Sequence, residues 1–219
     1  MITPEVSMQS YYAARASEYD RVYDKPERQA DIRTLQEWLP SLFRDSRLLE
    51  VACGTGFWTQ YIAPLAREVV AIDYAPETLA IAQLRVPREK VLFVVGDVYH
   101  LPVYRASFNA AFAGFWFSHV PKRRQREFLS GLCAAVVPGA TIVLVDNLYV
   151  EGSNHPIAEQ DPEGNTFQMR KLEDGSMHRV LKNFPTEREL RALLTGLGHD
   201  VKFTQFKYYW ALECLAGQP

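Results

Sequence analysis

The stretch Leu48–Trp58 reads LLEVACGTGFW, an apolar run that breaks at two glycines one residue apart. Leu48, Leu49 and Val51 suit a buried parallel strand, and Gly54 and Gly56 let the backbone turn sharply and approach a ligand where a Cβ would collide. The residues that follow, Trp58 to Leu65, are expected to open a helix beneath that ligand. A lone G-x-G also suits a plain strand-to-helix turn, so its surroundings decide what it is for.

Downstream the pattern alternates. Glu68 to Ile72 reads as a strand ending at Asp73, Pro76 to Leu84 as a helix, and Val91 to Val95 as a strand closed by Gly96 and Asp97. Phe108 to Phe115 is a fourth strand, Lys122 to Val137 a helix ended by Pro138–Gly139, and Thr141 to Val145 a fifth strand. Strands that are apolar on both faces and alternate with helices indicate a parallel sheet covered on both sides, hence an α/β doubly wound, Rossmann-like fold. Its ligand belongs at the carboxyl ends of the strands. Upstream, Ser10 to Tyr23 has helical character with Tyr12, Tyr19 and Tyr23 near one stripe and Arg15 among them. That face suits either packing on the core or a site. A second helix is expected from Pro26 through Ile32, Leu35, Trp38 and Leu39 to Pro40.

The strand-end rule turns scattered residues into a site. Asp73 lies 17 residues beyond Gly56, where an acidic side chain accepts hydrogen bonds from a ribose diol, and Asp97 ends the next strand in the same way. An adenosine-containing cofactor is the economical inference. A dinucleotide would want a third small residue three places after the second glycine, but Thr59 stands there behind Phe57 and Trp58. Glu50 adds a carboxylate at the strand end, unwelcome to a pyrophosphate and welcome to a cationic ligand.

These residues carry a resemblance. EVACGTG (Glu50–Gly56), Asp73 ending VVAID and Gly96–Asp97 ending VLFVVGD are similar to the motif set of class I S-adenosylmethionine-dependent methyltransferases, matching over Leu48 to Asn147. The resemblance implies that Gly54 and Gly56 border the amino-acid end of S-adenosyl-L-methionine, that Asp73 takes the ribose hydroxyls, and that Asp97 and Val98 lie along the adenine. Thr55, Trp58, Tyr74 and Phe115, with Glu50, complete that cofactor set. It also implies a seven-stranded sheet of order 3-2-1-4-5-7-6 with strand 7 antiparallel, and the tail fits, since Asp200–Phe206 and Tyr208–Leu215 are joined too tightly for a parallel crossover. Less specifically, YYAARASEYD (Tyr11–Asp20), GFWFSHVP (Gly114–Pro121) and MRKLEDGSMHRVLKNF (Met169–Phe184) resemble small bacterial O-methyltransferases acting on phosphonates. In that group the N-terminal helix closes over the cofactor, which implies contacts from Tyr12 and Arg15, the latter at the carboxylate.

Methyl transfer from a sulfonium is an in-line displacement, so the protein mainly aligns nucleophile, methyl carbon and sulfur, and no metal is required. An anionic oxygen needs only cationic residues to hold it, whereas a hydroxyl or amine gains from a base, for which His119 is the candidate. Leu148 to Asn165 is too long for an idle connection and reads as a lid. Thr166–Leu172 and Met177–Asn183 then flank Asp174–Gly175 as a β-hairpin. A two-residue turn would set Arg170 opposite Arg179, while a three-residue Glu-Asp-Gly loop puts Arg170 and Lys182 on one face, so the second register is expected, with both residues binding an anionic substrate. Tyr23, His119, Arg170 and Lys182 are the acceptor-side candidates. The basic run Lys122, Arg123, Arg124 and Arg126 reads as a solvated face, and Thr186 with Glu189 as a capping box whose helix stops at Gly198.

With 219 residues, 47% of them hydrophobic, the chain suits a single domain: a helical cap (1–40), a cofactor core (41–147), a lid and hairpin (148–184), and a closing helix with strands 6 and 7 (185–219). A net charge of −2 argues against a general nucleic-acid binder, and no signal peptide or membrane-length apolar run is seen, so a cytoplasmic protein is expected. Cys53, Cys133 and Cys214 are too scattered for a zinc site or disulfide framework, and His155 and His178 lack metal-ligand spacing. The expected activity is methylation of a small, anionic molecule. O- or N-methylation of a neutral metabolite by way of His119, a non-catalytic S-adenosylmethionine-binding module and, disfavoured by Thr59 and Glu50, a nicotinamide dehydrogenase are the alternatives.

Overall fold

A computed structural model describes residues 15–87, 89–101 and 108–218. Strands β1 (Arg47–Val51), β2 (Glu68–Asp73), β3 (Val91–Val95), β4 (Phe108–Gly114), β5 (Val136–Asn147), β9 (Gly198–Gln205) and β10 (Tyr209–Ala216) form one seven-stranded sheet, ordered β3-β2-β1-β4-β5-β10-β9. The first five are mutually parallel, and β10 runs antiparallel to both β5 and β9. Since β9 and β10 are the sixth and seventh strands of the sheet in chain order, this is the 3-2-1-4-5-7-6 arrangement.

The sheet is sandwiched because its strands are apolar on both sides. In β1, Leu49 and Val51 face a cluster containing Phe117, Phe128 and Trp210, while Leu48 faces the opposite cluster with Leu35, Phe43 and Phe112. Fully burying one such side chain contributes about 1.5–3 kcal/mol. Helices α1 (Gln29–Leu42), α2 (Thr59–Ile62), α3 (Pro76–Arg85), α4 (Gln125–Ala134) and α5 (Glu187–Leu194) supply the covering layers.

Several boundaries differ from the sequence reading. Pro40 lies inside α1, in its last turn, where it forgoes the bond to the Gln36 carbonyl with only Ser41 and Leu42 left to follow. The helix expected from Trp58 to Leu65 is a single turn, halted before Pro64. The helix expected to reach Val137 ends at Ala134, and Pro138–Gly139 lie within β5, which begins at the β-branched Val136 paired with Phe108. Thr186 and Glu189 do form the capping box, but the left-handed stop after α5 is Gly196 (φ 75°), and Gly198 opens β9.

Between β5 and α5 the chain adds a second sheet, β6 (Glu159–Gln160), β7 (Thr166–Lys171) and β8 (Met177–Leu181). Arg170 pairs with His178 and Lys171 with Met177, closed by a Glu173-Asp174-Gly175 loop in which Gly175 is left-handed (φ 86°). This is the three-residue register, and it carries Gln168, Arg170 and, one step past β8, Lys182 on one face. The N-terminal cap, a 3-10 helix at Ala16–Tyr23, closes against both sheets. Asp20 accepts from Thr55 Oγ1 at 2.5 Å and pairs with Arg85, Tyr23 stacks on Phe57 with ring centroids 3.8 Å apart, and Arg21 pairs with Glu173 at the hairpin tip.

Candidate active site

A cavity of about 150 Å³ opens at the carboxyl ends of the parallel strands, lined by Gly54, Asp73, Tyr74, Asp97, Val98, Phe115 and His119 among others. Asp73 organises it. Its Oδ2 accepts from the Gly54 N–H at 2.8 Å, and its Oδ1 from Ala75 N at 3.0 Å and Thr78 Oγ1 at 3.1 Å. Burial pushes the Asp73 carboxyl up while these donors pull it back. Two carboxylate oxygens offer about four acceptor positions, so three donors leave room for one hydroxyl of a ribose. Asp97 accepts from Tyr99 N at 3.0 Å and pairs with His100 at 2.9 Å. The cavity's arginine, Arg124, lies 3.4 Å over the Tyr99 ring and is held by both oxygens of Glu127, which leaves the lining acidic in balance. Arg124 is therefore part of a cavity wall, a correction to its reading as solvated. The left-handed Gly54 turn, the acidic pair at consecutive strand ends and this charge balance fit a cationic adenosyl cofactor.

Other expected cofactor residues stand behind that wall. Gly56 (φ 73°) packs on α3, where a Cβ would come within 3.0 Å of Ala82 Cβ. Thr55 is engaged with Asp20 and Arg85, and Trp58 donates to the Tyr23 hydroxyl at 3.2 Å. Glu50 is 2% exposed, is not part of the cavity, and has a carboxylate oxygen with no hydrogen-bond partner. Burial raises its pKa to about 8, opposed by the Thr59 hydroxyl and assisted by Asp73, so the acid is largely neutral at pH 7 and offers little to a cation. Its folded pKa lies above the unfolded value, so the unfolded chain binds fewer protons between pH 4.5 and 8 and stability falls as pH rises there. Glu50→Gln should accordingly raise the melting temperature, by an amount that grows from pH 5 to pH 8; thermal scans at both ends of that range check it. Tyr12 lies outside the described residues.

A second cavity adjoins the first and shares Tyr19, Phe115 and His119 with it. Phe115 is held at φ 61° at the end of β4, stacked on Trp58 and edge-on to Tyr23 and Tyr209. A non-glycine residue in that region costs free energy, and such strain concentrates at functional sites. Arg15, Lys25, Arg28, Arg170 and Lys182 line this cavity, with no Asp or Glu among its lining residues. Arg15, expected at the cofactor, is on this side, its guanidinium 5.3 Å from the Tyr19 ring centroid. Tyr23 is buried in the wall, where burial drives its hydroxyl pKa up.

His119 Nδ1 lies 2.6 Å from the Leu181 carbonyl oxygen, which fixes the proton on Nδ1 and makes Nε2 the basic nitrogen. Burial, then the charges of Lys182 and Arg170, hold its pKa well below the ordinary value, so the imidazole is neutral at pH 7. Lys182 Nζ donates to Ser118 Oγ at 2.6 Å and to the fully buried Asp146 at 3.1 Å. Its charge is thus already matched, and it serves an anion less than the sequence reading assumed. Arg170 is bound by Gln168 Oε1 at 2.9 Å, and its buried Nε has no hydrogen-bond partner.

Lys25 and Arg28 escaped the sequence reading altogether. Both fall in DKPERQ, which reads as an ordinary polar helix start, and nothing local marks them. Among the described residues no cluster of His, Cys, Asp or Glu could hold a metal ion, and no helix is long and apolar enough to cross a membrane.

Residues 48–139 match the family model described as a methyltransferase domain. Curated relatives include the biotin biosynthesis bifunctional protein BioHC of Cellvibrio japonicus, 33% identical over 42% of this chain and 18% of that protein. Another is a demethylmenaquinone methyltransferase of Lactiplantibacillus plantarum, 29% identical over 48% of this chain and 46% of that protein. The chain spans less than half the length of either. Among solved structures, a DhpI–SAH complex is 30% identical over 97% of both chains with a TM-score of 0.80, and a DhpI–SAM–HEP complex is 29% identical with a TM-score of 0.79.

Proposed function

This chain belongs to the class I S-adenosylmethionine-dependent methyltransferases, and from that premise we propose that it methylates a small molecule at an anionic oxygen, a phosphonate or a carboxylate. The observation that supports this reading is the opposed charge of two adjoining cavities. The first is lined by Asp73 and Asp97 and suits a sulfonium cofactor; the second is lined by five cations and suits an anion. Tyr19, Phe115 and His119 stand between them, where a methyl group would have to pass.

When bound, S-adenosylmethionine supplies a methyl group on positively charged sulfur. An oxygen lone pair forms the new O–C bond, the C–S electron pair stays with sulfur, and the acceptor loses one negative charge. The chain's own residues align that displacement. Arg170, with its unpartnered Nε and its Gln168 brace, is placed to fix the acceptor oxygen, and the aromatic wall of Tyr19, Tyr23 and Phe115 excludes water from the junction. An anionic oxygen carries no proton to remove, so no base is needed. A second reading draws on the neutral His119: with Nδ1 bound to Leu181, Nε2 can accept the proton of a hydroxyl or amine acceptor.

Turnover to S-adenosylhomocysteine across a panel of phosphonates, carboxylates, alcohols and amines tests the proposal. Acidic acceptors should turn over, and Arg170→Ala should raise KM for them by about 10- to 100-fold, the worth of a hydrogen bond to a charged group, with cofactor affinity unchanged. Turnover of neutral acceptors alone, with activity abolished in His119→Ala, would replace it by the second reading.

A further inference from the structure

The anionic-acceptor reading, on which this inference rests, leaves positive charge in the second cavity that one acceptor oxygen does not match. Lys182 is matched by Asp146, and Arg170 is assigned to the reacting oxygen. Arg28 donates directly to no carboxylate among the described residues. It is 4% exposed, and its Nε, Nη1 and Nη2 donate to neutral oxygens of Ser153, Asn147 and Asn154 at 2.9, 2.8 and 3.2 Å. The rings of Tyr208 and Tyr209 cover it at 5.3 and 5.5 Å. Its nearest acid in sequence, Glu27, reaches Arg28 only through the Ser153 hydroxyl, which accepts from Arg28 and donates to Glu27 at 2.8 Å, and that one charge is shared between Arg28 and Lys25; Asp31 accepts from Tyr208 N.

Lys25 reinforces the excess. Its ammonium donates to the Ser153 carbonyl, and burial, then Arg28 and Arg170, disfavour its charged form against the opposing pull of Glu27. Lys25 therefore stands close enough to both arginines to feel them. Like charges brought together in a concave, part-dry site are costly unless a ligand supplies the counter-charge. The neutral oxygens of Asn147, Ser153 and Asn154 hold the guanidinium in place, and the single acid behind Ser153, Glu27, is set against two cations, which is the arrangement of a receptor for an anion.

We propose that the acceptor carries a second anionic group, held by Arg28 and Lys25, while the oxygen to be methylated lies on the Arg170 side beside His119. The substrate class is a small molecule with two acidic ends, such as a phosphonocarboxylate or a dicarboxylate.

Calorimetry on the full chain loaded with S-adenosylhomocysteine tests this with two probes, methylphosphonate and 3-phosphonopropionate. The two-acid probe should bind at least about 30-fold tighter, the increment of an added charge-assisted contact. Lys25→Gln and the charge-conserving Arg28→Lys should each cut that advantage below about 5-fold and leave methylphosphonate affinity within about 3-fold. The half-buried Lys25 carries the test if Arg28→Lys fails to fold. Equal affinity for the two probes, both lost in Arg170→Ala, would overturn the second group and leave the single-anion reading standing. An advantage that survives both variants would also overturn it, as a property of the overall field. Failure of both probes to bind, while S-adenosylhomocysteine does, would overturn both readings together.

Discussion

Replacing Asp73 with alanine should weaken S-adenosylhomocysteine binding by about 10- to 100-fold, because a charge-assisted hydrogen bond contributes about 1.5–3 kcal/mol and the carboxylate would hold a ribose hydroxyl. The loss has a second source in the protein itself. Asp73 is also the acceptor that fixes the Gly54 N–H at 2.8 Å and ties the start of α3 through Ala75 and Thr78, so its removal loosens the turn that shapes the cavity floor. Asp73→Asn retains part of both effects. An amide keeps one acceptor oxygen, enough for Ala75 and Thr78, but sets its NH2 against the Gly54 N–H, so it should fall between wild type and alanine in both affinity and melting temperature. Calorimetric titration with S-adenosylhomocysteine, alongside thermal scans, gives both readouts. An affinity for Asp73→Ala within about 3-fold of wild type would mean that the strand-end acid is only a helix-start device.

How far the sequence carried depends on the range of the force involved. Strands β1, β2 and β3 were legible almost to the residue, since β1 and β2 are buried on both faces and so nearly apolar throughout, and β3, an edge strand with Leu92 and Val95 exposed, is as apolar and ends where Gly96 stops it. The hairpin register was legible for a similarly local reason: one alternative opposed Arg170 to Arg179, and the observed pairing sets Arg170 against His178 instead. Pro138 and Gly139 misled because punctuation by composition ignores partners. They lie in β5, whose pairing with β4 and β10 outweighs their poor strand propensity. Glu50 was placed correctly at the end of a strand and given the wrong environment, because which way a side chain faces depends on what covers it. Arg28 and Lys25 were invisible for the same reason: their partners Asn147, Ser153 and Asn154 lie more than a hundred residues away.

Lys182→Ala should destabilise the fold by about 3–5 kcal/mol, the cost of leaving a buried charge without its partner. Asp146 is fully buried and receives Ser118 N at 2.8 Å, Ser118 Oγ at 2.9 Å, Asn147 N at 2.7 Å and Asn147 Nδ2 at 3.1 Å besides the lysine. Those four donors are neutral, so alanine leaves a carboxylate solvated by dipoles but unmatched in charge. For a domain of this size that loss corresponds to a fall of about 6–20 °C in melting temperature. The double variant Lys182→Met, Asp146→Asn removes both charges, keeps an amide oxygen for Ser118 Oγ and Asn147 while setting its NH2 against the Ser118 N–H, and should recover part of it; a cycle of the two singles and the double isolates the pair. The sign of the pH dependence follows from the Lys182 pKa, lowered by burial from 10.5 to about 8 despite Asp146. Between those values the unfolded chain binds the extra proton, so this group makes stability rise with pH, with its desolvation cost fully present below pH 8. Wild type should therefore gain stability relative to the double variant from pH 8 toward pH 10. A wild-type advantage that instead shrinks across that interval would show that Lys182 holds its proton in the folded state and that the ion pair, not the burial, dominates the network. Because Lys182 belongs to this network and Arg170 does not, the melting temperature should fall in Lys182→Ala and hold in Arg170→Ala.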